Sequence, residues 1–583
     1  MDWKKMTLPA GILIALIVIA YIPALRGGFV WDDDKYVTQN PQLRTVTGLG
    51  RIWLKFGAVP QYYPLVYTTF WVEYHLWGLR PFGYHLVNIL LHGVNAVLLW
   101  QVLKRLGVPG SYLAAALFAL HPVHVESVAW VNELKNVLSG TFYLGAALAY
   151  FRFAGLAARP VSETDRNCAY TYAAVFFICA LLSKSVVCTL PAALLLVLWW
   201  KRDRLTWARD FSPLIPFFVI GLAAALLTSW VEKEYVGAGM IEYPLSILER
   251  FLIAGRAFWF SVGKLFWPHP LIFVYPRFQI DPEAWRQYLF PLIALAVLVV
   301  LFLLRSRVGK GPLVAVIFYT GTLLPALGFV NIYYQMQYTF VADHFQYLAS
   351  IGLIALAAAL VVTVIRRCGD LRVVHAAVYP VLLLPLGILT WQQGYIYKNL
   401  EILWEDTLAK NPHSWLAQAN LGALLTEEGR LDQALRHCRE AVRLKGDSPQ
   451  VHNNLANVLI RLGKAEEGIK ELKKAIQLKN DFVEANYNLG VVYGQEGRID
   501  DAIAQFNKTL ELQPRHVEAH YSLAVAMIMK GNYREAILQC QRALKLRPDF
   551  QPAKEKLWIA LTRLEQMEAA ATAPATSTAP TSR

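Results

Sequence analysis

The residues LPAGILIALIVIAYIPAL, numbered 8–25, form an apolar run of 18 residues that is preceded by Lys4 and Lys5. As a helix this run would extend about 27 Å, at about 1.5 Å per residue, which is close to the hydrocarbon thickness of a bilayer. No small-residue cleavage pattern follows it. The run is therefore predicted to be a retained membrane anchor and not a signal peptide.

Further apolar blocks recur from there to residue 393. The predicted spans are residues 84–103, 110–129, 134–151, 170–183, 186–200, 211–231, 287–304, 312–330, 346–365 and 373–393, which makes about eleven transmembrane helices with the first run. The whole chain is 56% hydrophobic and only 17% charged, and this composition excludes a purely soluble or disordered protein. We predict an all-α, polytopic helical membrane domain over residues 1–393.

Lys and Arg cluster in alternate connections between these spans. The clusters are Lys104-Arg105, Arg152 with Arg159, Lys201-Arg202-Arg204, Arg305 with Arg307 and Lys310, and Arg366-Arg367. The positive-inside rule then predicts a cytoplasmic N-terminus and places everything after Trp391 outside. The segment 245–275, rich in Phe and Trp, fits as an external interfacial or re-entrant piece. The net charge of +14 comes mostly from Lys and Arg in these connections, where they set the orientation of the protein in the membrane. No nucleic-acid partner is therefore predicted.

A 34-residue period governs the chain from residue 415 onward. It is marked by Leu421, Leu455, Leu489, Leu523 and Leu557, and by Gly429, Gly463, Gly497 and Gly531. This pattern resembles the tetratricopeptide repeat, with four full repeats and a fifth first helix. We predict an α-solenoid over residues 415–568, a connecting segment over 394–414, and a disordered Ala/Thr/Pro/Ser tail over 569–583.

Function in such a solenoid resides on the concave surface, which usually binds extended peptide. Asn420, Asn454 and Asn488 recur on one face and are candidate contacts to the backbone of an acceptor peptide. Ordinary exposed polar residues are the alternative interpretation.

Three adjacent carboxylates, Asp32, Asp33 and Asp34, lie directly beyond the first span, in FVWDDDK (residues 29–35). Like charges at a low-dielectric boundary cannot all ionise freely, so at least one pKa should rise. A carboxylate with a raised pKa suits general-base work. A solvated acidic loop is the alternative.

A second polar motif, HPVHVE (residues 121–126), closes the third span on the same external side, and Glu133 and Lys135 follow it. His121, His124 and Glu126 do not have a known zinc-ligand spacing. A hydrogen-bonded polar site that faces a cavity is the favoured interpretation, and Asp343, which opens the tenth span, is predicted to join it.

Cationic residues accompany these motifs at the external helix ends. Lys184 lies in a short turn between two apolar spans, where a charge is costly unless it is paired or reaches water, and a phosphate is its natural partner. Snorkelling to the interface is the alternative. Arg256 and Arg277 lie in the interfacial segment, and His344 follows Asp343. All are external under one topology, so acidic, imidazole and cationic groups are expected to converge on one membrane-level cavity.

The order of these motifs along the chain resembles that of a known protein family. It runs FVWDDD, YYPL (62–65), HLVNILLH (85–92), HPVHVESVAW (121–130), SKS (183–185), YPR (275–277), ADHFQYL (342–348) and then the repeats. This order resembles the transmembrane and TPR repeat-containing O-mannosyltransferases and their prokaryotic relatives, over nearly the whole chain. The resemblance implies a GT-C class glycosyltransferase that takes sugar from a polyprenyl-phosphate carrier.

The resemblance also implies roles for residues. Asp32 and Asp33 match the acidic pair that serves the acceptor, with Asp34 as a neighbour that tunes them. The donor phosphate is assigned to the basic residues at the external helix ends, which are Lys184, Arg256, Arg277 and His344. The family tends to carry Arg where this chain has His344, which is a departure from its pattern.

The function so implied is inverting transfer of a hexose such as mannose to a hydroxyl, most simply of a protein Ser or Thr. The phosphate is a competent leaving group, so no cofactor is required and no divalent metal is expected, although the three carboxylates offer ligands for one. The implied location is a prokaryotic inner membrane, with the repeats periplasmic or extracellular. The alternative function is a non-catalytic membrane-anchored TPR scaffold or assembly factor.

Overall fold

The computed structural model describes residues 4–156, 162–236, 245–329, 338–367 and 371–572. The chain forms two compact units, Met1–Pro412 and His413–Arg583. Helices dominate both units, and no strand occurs among the described residues. The predicted all-α class is confirmed.

The first unit contains seventeen described α-helices. They are α1 (Lys4–Ala20), α2 (Ile22–Leu25), α3 (Val46–Leu54), α4 (Pro64–Trp77), α5 (Pro81–Arg105), α6 (Ser111–Leu120), α7 (Val125–Ala129), α8 (Leu134–Phe153), α9 (Glu163–Ser183), α10 (Leu190–Lys201), α11 (Ile215–Val231), α12 (Ile247–Phe266), α13 (Leu289–Val308), α14 (Gly311–Leu323), α15 (Ser350–Arg367), α16 (Leu371–Tyr395) and α17 (Leu400–Lys410).

Each predicted membrane block contains at least one of these helices, but the blocks differ in length and composition. Among the described residues, five helical stretches are long and apolar enough to cross a membrane. They are 81–105, 163–183, 207–235, 285–308 and 350–367. Helices α1, α10 and α14 are apolar but shorter. The predicted count of eleven spans is therefore not reached by length and composition alone, although a membrane protein is supported.

The third predicted span, 110–129, is broken. Helix α6 ends at Leu120, and the chain bends by 54° before α7. Pro122 lacks a backbone N–H and so cannot continue the helix, and the His121 ring caps the new turn by accepting from the Val123 N–H. If the bent pair counts as one span, it is a sixth candidate.

The predicted connecting segment is itself structured. Helix α17 packs onto the first unit through Trp404, whose ring contacts those of Trp31 and Phe273 at 4.9 and 5.7 Å. Lys410 donates to the Leu271 carbonyl, and Asn411 donates to the Val274 carbonyl. These contacts explain why the first unit extends to Pro412 and does not end with the last apolar block.

The second unit consists of helix pairs. Its helices are α18 (Trp415–Glu427), α19 (Leu431–Leu444), α20 (Pro449–Arg461), α21 (Ala465–Leu478), α22 (Val483–Gln495), α23 (Ile499–Leu512), α24 (Val517–Met529), α25 (Tyr533–Leu546) and α26 (Gln551–Thr572). The repeated glycines have φ between +75° and +79°, a left-handed turn that favours glycine. Four pairs and a ninth helix confirm the predicted repeats. Residues 569–572 of the predicted tail are helical, whereas 573–583, like Arg159 in the first unit, lie outside the described residues.

Candidate functional site

The acidic segment after α2 begins with a strained residue. Trp31 has φ of +51°, a left-handed conformation that a bulky side chain rarely adopts. Such strain costs roughly 1–3 kcal/mol and persists only where the surroundings enforce it. Here the Trp31 ring is held by Trp404 and Phe273. The same side chain lowers the pKa of the adjacent Asp32 carboxylate.

The three aspartates have different environments. Asp33 is fully buried: its Oδ2 accepts from the Val30 N–H and its Oδ1 accepts from the Asn132 N–H, each at 2.8 Å. Burial raises the pKa of Asp33 even though these two bonds lower it. Asp34 is exposed and its Oδ1 accepts from the Thr38 hydroxyl at 2.9 Å. Asp33 therefore joins the acidic segment to the turn before α8, and Asp34 faces solvent.

Asp32 differs from both neighbours because it is only partly buried. Burial raises its pKa, while the ammonium groups of Lys35 and Lys135 lower it. Both oxygens of Asp33 are already engaged by backbone N–H groups. Asp32 is thus the carboxylate of the three that combines a raised pKa with access, the two properties that a general base needs.

A buried network of charges surrounds Glu133, which is 1% exposed. The Lys135 and Lys184 ammonium groups lie 3.0 and 3.5 Å from its two carboxylate oxygens. Asn136 donates to Glu133 at 2.5 Å and accepts from Lys184 at 2.6 Å. Burial raises the pKa of Glu133, but His344, Lys135 and Lys184 outweigh it and hold the pKa well below its usual range. Glu133 is therefore an ionised anchor for several cations.

His344 and Glu126 belong to the same network. The His344 Nδ1 lies 3.0 Å from one Glu126 oxygen, and the His344 backbone N–H donates to the other at 2.9 Å. Its Nε2 lies 4.0 Å from Glu133. A small cavity beside these groups is lined by Asn136, Lys184 and His344 together with further polar and apolar residues. The predicted residues Glu126, Lys184 and His344 thus meet around Glu133, and Lys135 connects them electrostatically to Asp32.

The two predicted histidines do not join this network. His121 hydrogen-bonds the Leu265 carbonyl at 2.9 Å, and His124 hydrogen-bonds the Phe118 carbonyl at 2.8 Å and lies 3.0 Å from the Ser350 hydroxyl. Each ring therefore bonds a backbone carbonyl near the end of a helix. Among the described residues, no group of three His, Cys, Asp or Glu is arranged to hold a metal ion.

Asp343 forms a separate pair with Tyr275. The Tyr275 hydroxyl lies 3.0 and 3.1 Å from the two Asp343 oxygens, and burial together with the Glu126 charge raises the pKa of Asp343. The Arg256 and Arg277 guanidinium groups stack over the Phe278 and Phe340 rings, at 4.5 and 4.8 Å. Neither arginine is linked to Lys184 by a described contact, and their phosphate role stays a prediction.

The asparagines of the repeats are half-buried. Asn420 donates to the Leu416 carbonyl of its own helix, whereas Asn454 and Asn488 donate to Ala419 and Asn453 of the preceding repeat. Their amide N–H groups stabilise the solenoid. Contact with a peptide through their carbonyl oxygens stays a prediction.

Sequence reasoning missed Asn136 and two residues discussed below, Gln61 and Glu232. Asn136 closes the NELKN motif (132–136), which puts two charges at the start of an apolar helix. Charges at that position were a usable signal, because they are costly near a membrane unless they are paired.

The structural role of Asp33 gives a stability prediction. Asparagine has one carbonyl oxygen, so Asp33→Asn leaves either the Val30 or the Asn132 N–H without an acceptor. An unsatisfied buried donor costs about 1–3 kcal/mol. We expect the thermal unfolding midpoint of the detergent-purified protein to fall for Asp33→Asn and to stay unchanged for the exposed control Asp34→Asn. Equal midpoints for wild type and Asp33→Asn would contradict this role.

Comparison with known proteins follows the division into two units. The tetratricopeptide repeat profile matches residues 403–449 and 487–549, and a TPR repeat profile matches 456–497. Among solved structures, the thermophilic TPR protein TTC0263 of Thermus thermophilus is 22% identical, with a TM-score of 0.26, and the match covers 31% of this chain and 97% of that chain.

Several relatives of this chain are named protein O-mannosyl-transferase, and two of them match about three quarters of it. Tmtc3 of Drosophila melanogaster is 24% identical over 524 residues, 75% of this chain and 55% of that protein. Human TMTC1 is 26% identical over 513 residues, 76% of this chain and 56% of that protein. Human TMTC3 is 35% identical over 162 residues, 26% of this chain and 17% of that protein. The predicted resemblance is confirmed, and the chain spans about half the length of the relatives that it matches most extensively.

Proposed function

We propose that this protein is a membrane glycosyltransferase that moves a sugar, most simply a hexose such as mannose, from a polyprenyl-phosphate donor to a hydroxyl on the extracytoplasmic side. The acceptor is a Ser or Thr of a protein whose extended segment the repeats bind. The membrane is a prokaryotic inner membrane. Similarity to O-mannosyl-transferases over three quarters of the chain supports this class of reaction.

The observation that carries the proposal is the network around Glu133. It gathers Lys184, Lys135 and His344, which suit a phosphate, and it lies in electrostatic contact with Asp32, which suits a hydroxyl proton. Sugar transfer from a lipid phosphate needs these two functions close together. A scaffold needs neither, and buried charges cost several kcal/mol each unless they are paired, so a mere anchor gains nothing from such a network.

The proposed reaction uses these groups in order. Asp32 takes the proton of the acceptor hydroxyl while the hydroxyl oxygen bonds to the anomeric carbon. The bond between that carbon and the phosphate oxygen breaks, and polyprenyl phosphate leaves with both bonding electrons. Lys184 and its neighbouring cations stabilise the charge on the phosphate, and attack opposite the leaving group inverts the anomeric centre. No cofactor takes part in these steps.

The protonation of Lys184 gives a pH prediction. Burial lowers the pKa of Lys184 to about 8, although the Glu133 carboxylate raises it. The cation therefore exists below about pH 8 and is lost above it. We expect kcat/KM for the donor to fall above about pH 8 in the wild type, and Lys184→Arg to extend activity to higher pH because a guanidinium stays charged. If kcat/KM for the donor falls at the same pH in both proteins, the assignment of Lys184 to the donor phosphate is contradicted.

The proposed topology puts Asp33 and the repeats on the same, non-cytoplasmic side. Single reporter cysteines at residues 577 and 309 test it in intact cells with a membrane-impermeant thiol reagent. We expect labelling at 577 and protection at 309, since Gly309 lies beside basic residues of a predicted cytoplasmic loop. Protection at 577 together with labelling at 309 would reverse the proposed topology.

Transfer itself tests the proposed function. Purified full-length protein is incubated with radiolabelled polyprenyl-phosphate mannose and a membrane protein extract as acceptor. Label that enters protein and is released by alkaline β-elimination, which cleaves sugars from Ser and Thr, is the expected result. Absence of transfer from this donor and from its glucose counterpart would contradict the proposal.

A further inference from the structure

Glu232 is a buried carboxylate that the reaction above does not use. It follows α11 as the first residue of the turn Glu232–Val236 and is 2% exposed. Its Oε1 accepts from the Gln61 amide at 2.5 Å, whereas its Oε2 is buried and has no partner among the described residues. A buried carboxylate oxygen without a donor is costly, so the position calls for an explanation beyond packing.

The Gln61 amide is held in one orientation. The Tyr36 hydroxyl donates to the Gln61 Oε1 at 2.8 Å, so the amide N–H₂ must face Glu232. Tyr36 lies four residues after Asp32 and is buried. Tyr36 thus orients the Gln61 amide so that its N–H₂ group donates to Glu232.

Contacts continue from Tyr36 to the network around Glu133. The Lys135 ammonium lies 5.5 Å from the centre of the Tyr36 ring and 3.0 Å from the Glu133 carboxylate, which in turn lies 3.5 Å from Lys184. Lys135 also interacts electrostatically with Glu232. A connected series of polar groups therefore runs from Lys184, through Glu133, Lys135, Tyr36 and Gln61, to Glu232.

We propose that Glu232 binds hydroxyl groups of the transferred sugar and that Gln61 positions it. This inference rests on the proposed function. A sugar phosphate carries an anion at one end and hydroxyl donors at the other. The series offers cations at the Lys184 end and, at the Glu232 end, a carboxylate oxygen that has no hydrogen-bond partner among the described residues and can accept from a sugar hydroxyl. Glu232 is thereby a determinant of sugar specificity.

Glu73 on α4 provides the matched control. It is also 2% exposed, and both of its oxygens lack a hydrogen-bond partner among the described residues. No contact links it to the series. Glu73→Gln therefore changes a buried carboxylate in the same way without touching the proposed subsite.

The test compares polyprenyl-phosphate mannose with its 2-, 3-, 4- and 6-deoxy analogues as donors for the full-length protein. We expect wild type to use at least one analogue about 10–100-fold less efficiently than mannose, the range for a hydrogen bond to a charged group. Glu232→Gln should raise KM for the mannose donor and lose most of that discrimination. Glu73→Gln should keep the wild-type ratio between mannose and each analogue.

The outcomes separate this inference from the proposed function. A Glu232→Gln variant that transfers mannose with the wild-type discrimination ratio overturns the role of Glu232 and leaves the glycosyltransferase proposal standing. Wild type that transfers no sugar overturns both. If Glu232→Gln does not fold, Gln61→Met decides: reduced discrimination supports the subsite, and an unchanged ratio overturns it.

Discussion

Asp32→Asn is expected to lower the rate of sugar transfer by about 10²–10⁴ while folding and donor binding persist, because it keeps the size of the side chain but removes the base. The partly buried Asp32 carboxylate has its pKa raised by burial and lowered by the charges of Lys35 and Lys135. The loss should therefore appear in kcat, with KM for the donor nearly unchanged.

Asp34→Asn is the matched control for this experiment. Asp34 is exposed, and asparagine can still accept from the Thr38 hydroxyl. Its effect on kcat should be small, because its charge acts on Asp32 only through solvent-screened electrostatics. An Asp32→Asn variant with wild-type kcat would contradict the assignment of Asp32 as the base.

Lys184→Ala is expected to weaken donor use by about one to two decades, because a charge-assisted contact to a phosphate contributes roughly 1.5–3 kcal/mol. Removing one member of a buried ion pair also threatens the fold. Here Glu133 keeps the Lys135 ammonium at 3.0 Å, so we expect the variant to fold with a lowered unfolding midpoint. Lys184→Arg should retain more donor affinity than Lys184→Ala.

Lys310→Ala is the control for the loss of a lysine. The Lys310 ammonium donates only to described backbone carbonyls, those of Trp199 and Arg202, and it lies in a predicted cytoplasmic loop. Its removal should leave KM for the donor unchanged. Equal turnover of wild type and Lys184→Ala at sub-saturating donor would remove Lys184 from the proposed phosphate site.

The helical repeats were predictable from the sequence because their physical requirement is periodic. Each repeat needs a glycine with positive φ in its turn, and Gly463 meets this need at the expected spacing. The broken third span was less predictable. Apolar composition continues across residues 110–129, and only Pro122 indicates the bend.

The acidic segment was predictable as a site but not in its internal division of roles. Nothing within Asp32-Asp33-Asp34 indicates that Asp33 accepts the N–H of Asn132, which lies 99 positions further along the chain. That contact is tertiary, and it engages one Asp33 oxygen, while a catalytic role for Asp33 stays a prediction. Local charge density predicted a raised pKa, whereas the fold decides which carboxylate stays accessible.

The polar motif HPVHVE shows the opposite case. Its spacing suggested one cooperating cluster, yet His121 and His124 tie backbone carbonyls of separate elements, and Glu126 alone reaches the charge network through His344. Pro122 has no N–H for the Phe118 carbonyl four residues earlier, and the His124 ring bonds that carbonyl instead. Sequence spacing cannot distinguish a ring that holds helix ends from one that serves a site.

The most direct test of the account is a donor titration of the transfer rate for wild type, Asp32→Asn and Lys184→Ala, prepared in parallel in the same detergent. We expect Asp32→Asn to lower kcat with KM nearly constant. We expect Lys184→Ala to raise KM for polyprenyl-phosphate mannose by about 10–100-fold. If both variants reproduce the wild-type titration, Asp32 and Lys184 do not serve the two ends of one transfer reaction, and the proposed glycosyltransferase site is contradicted.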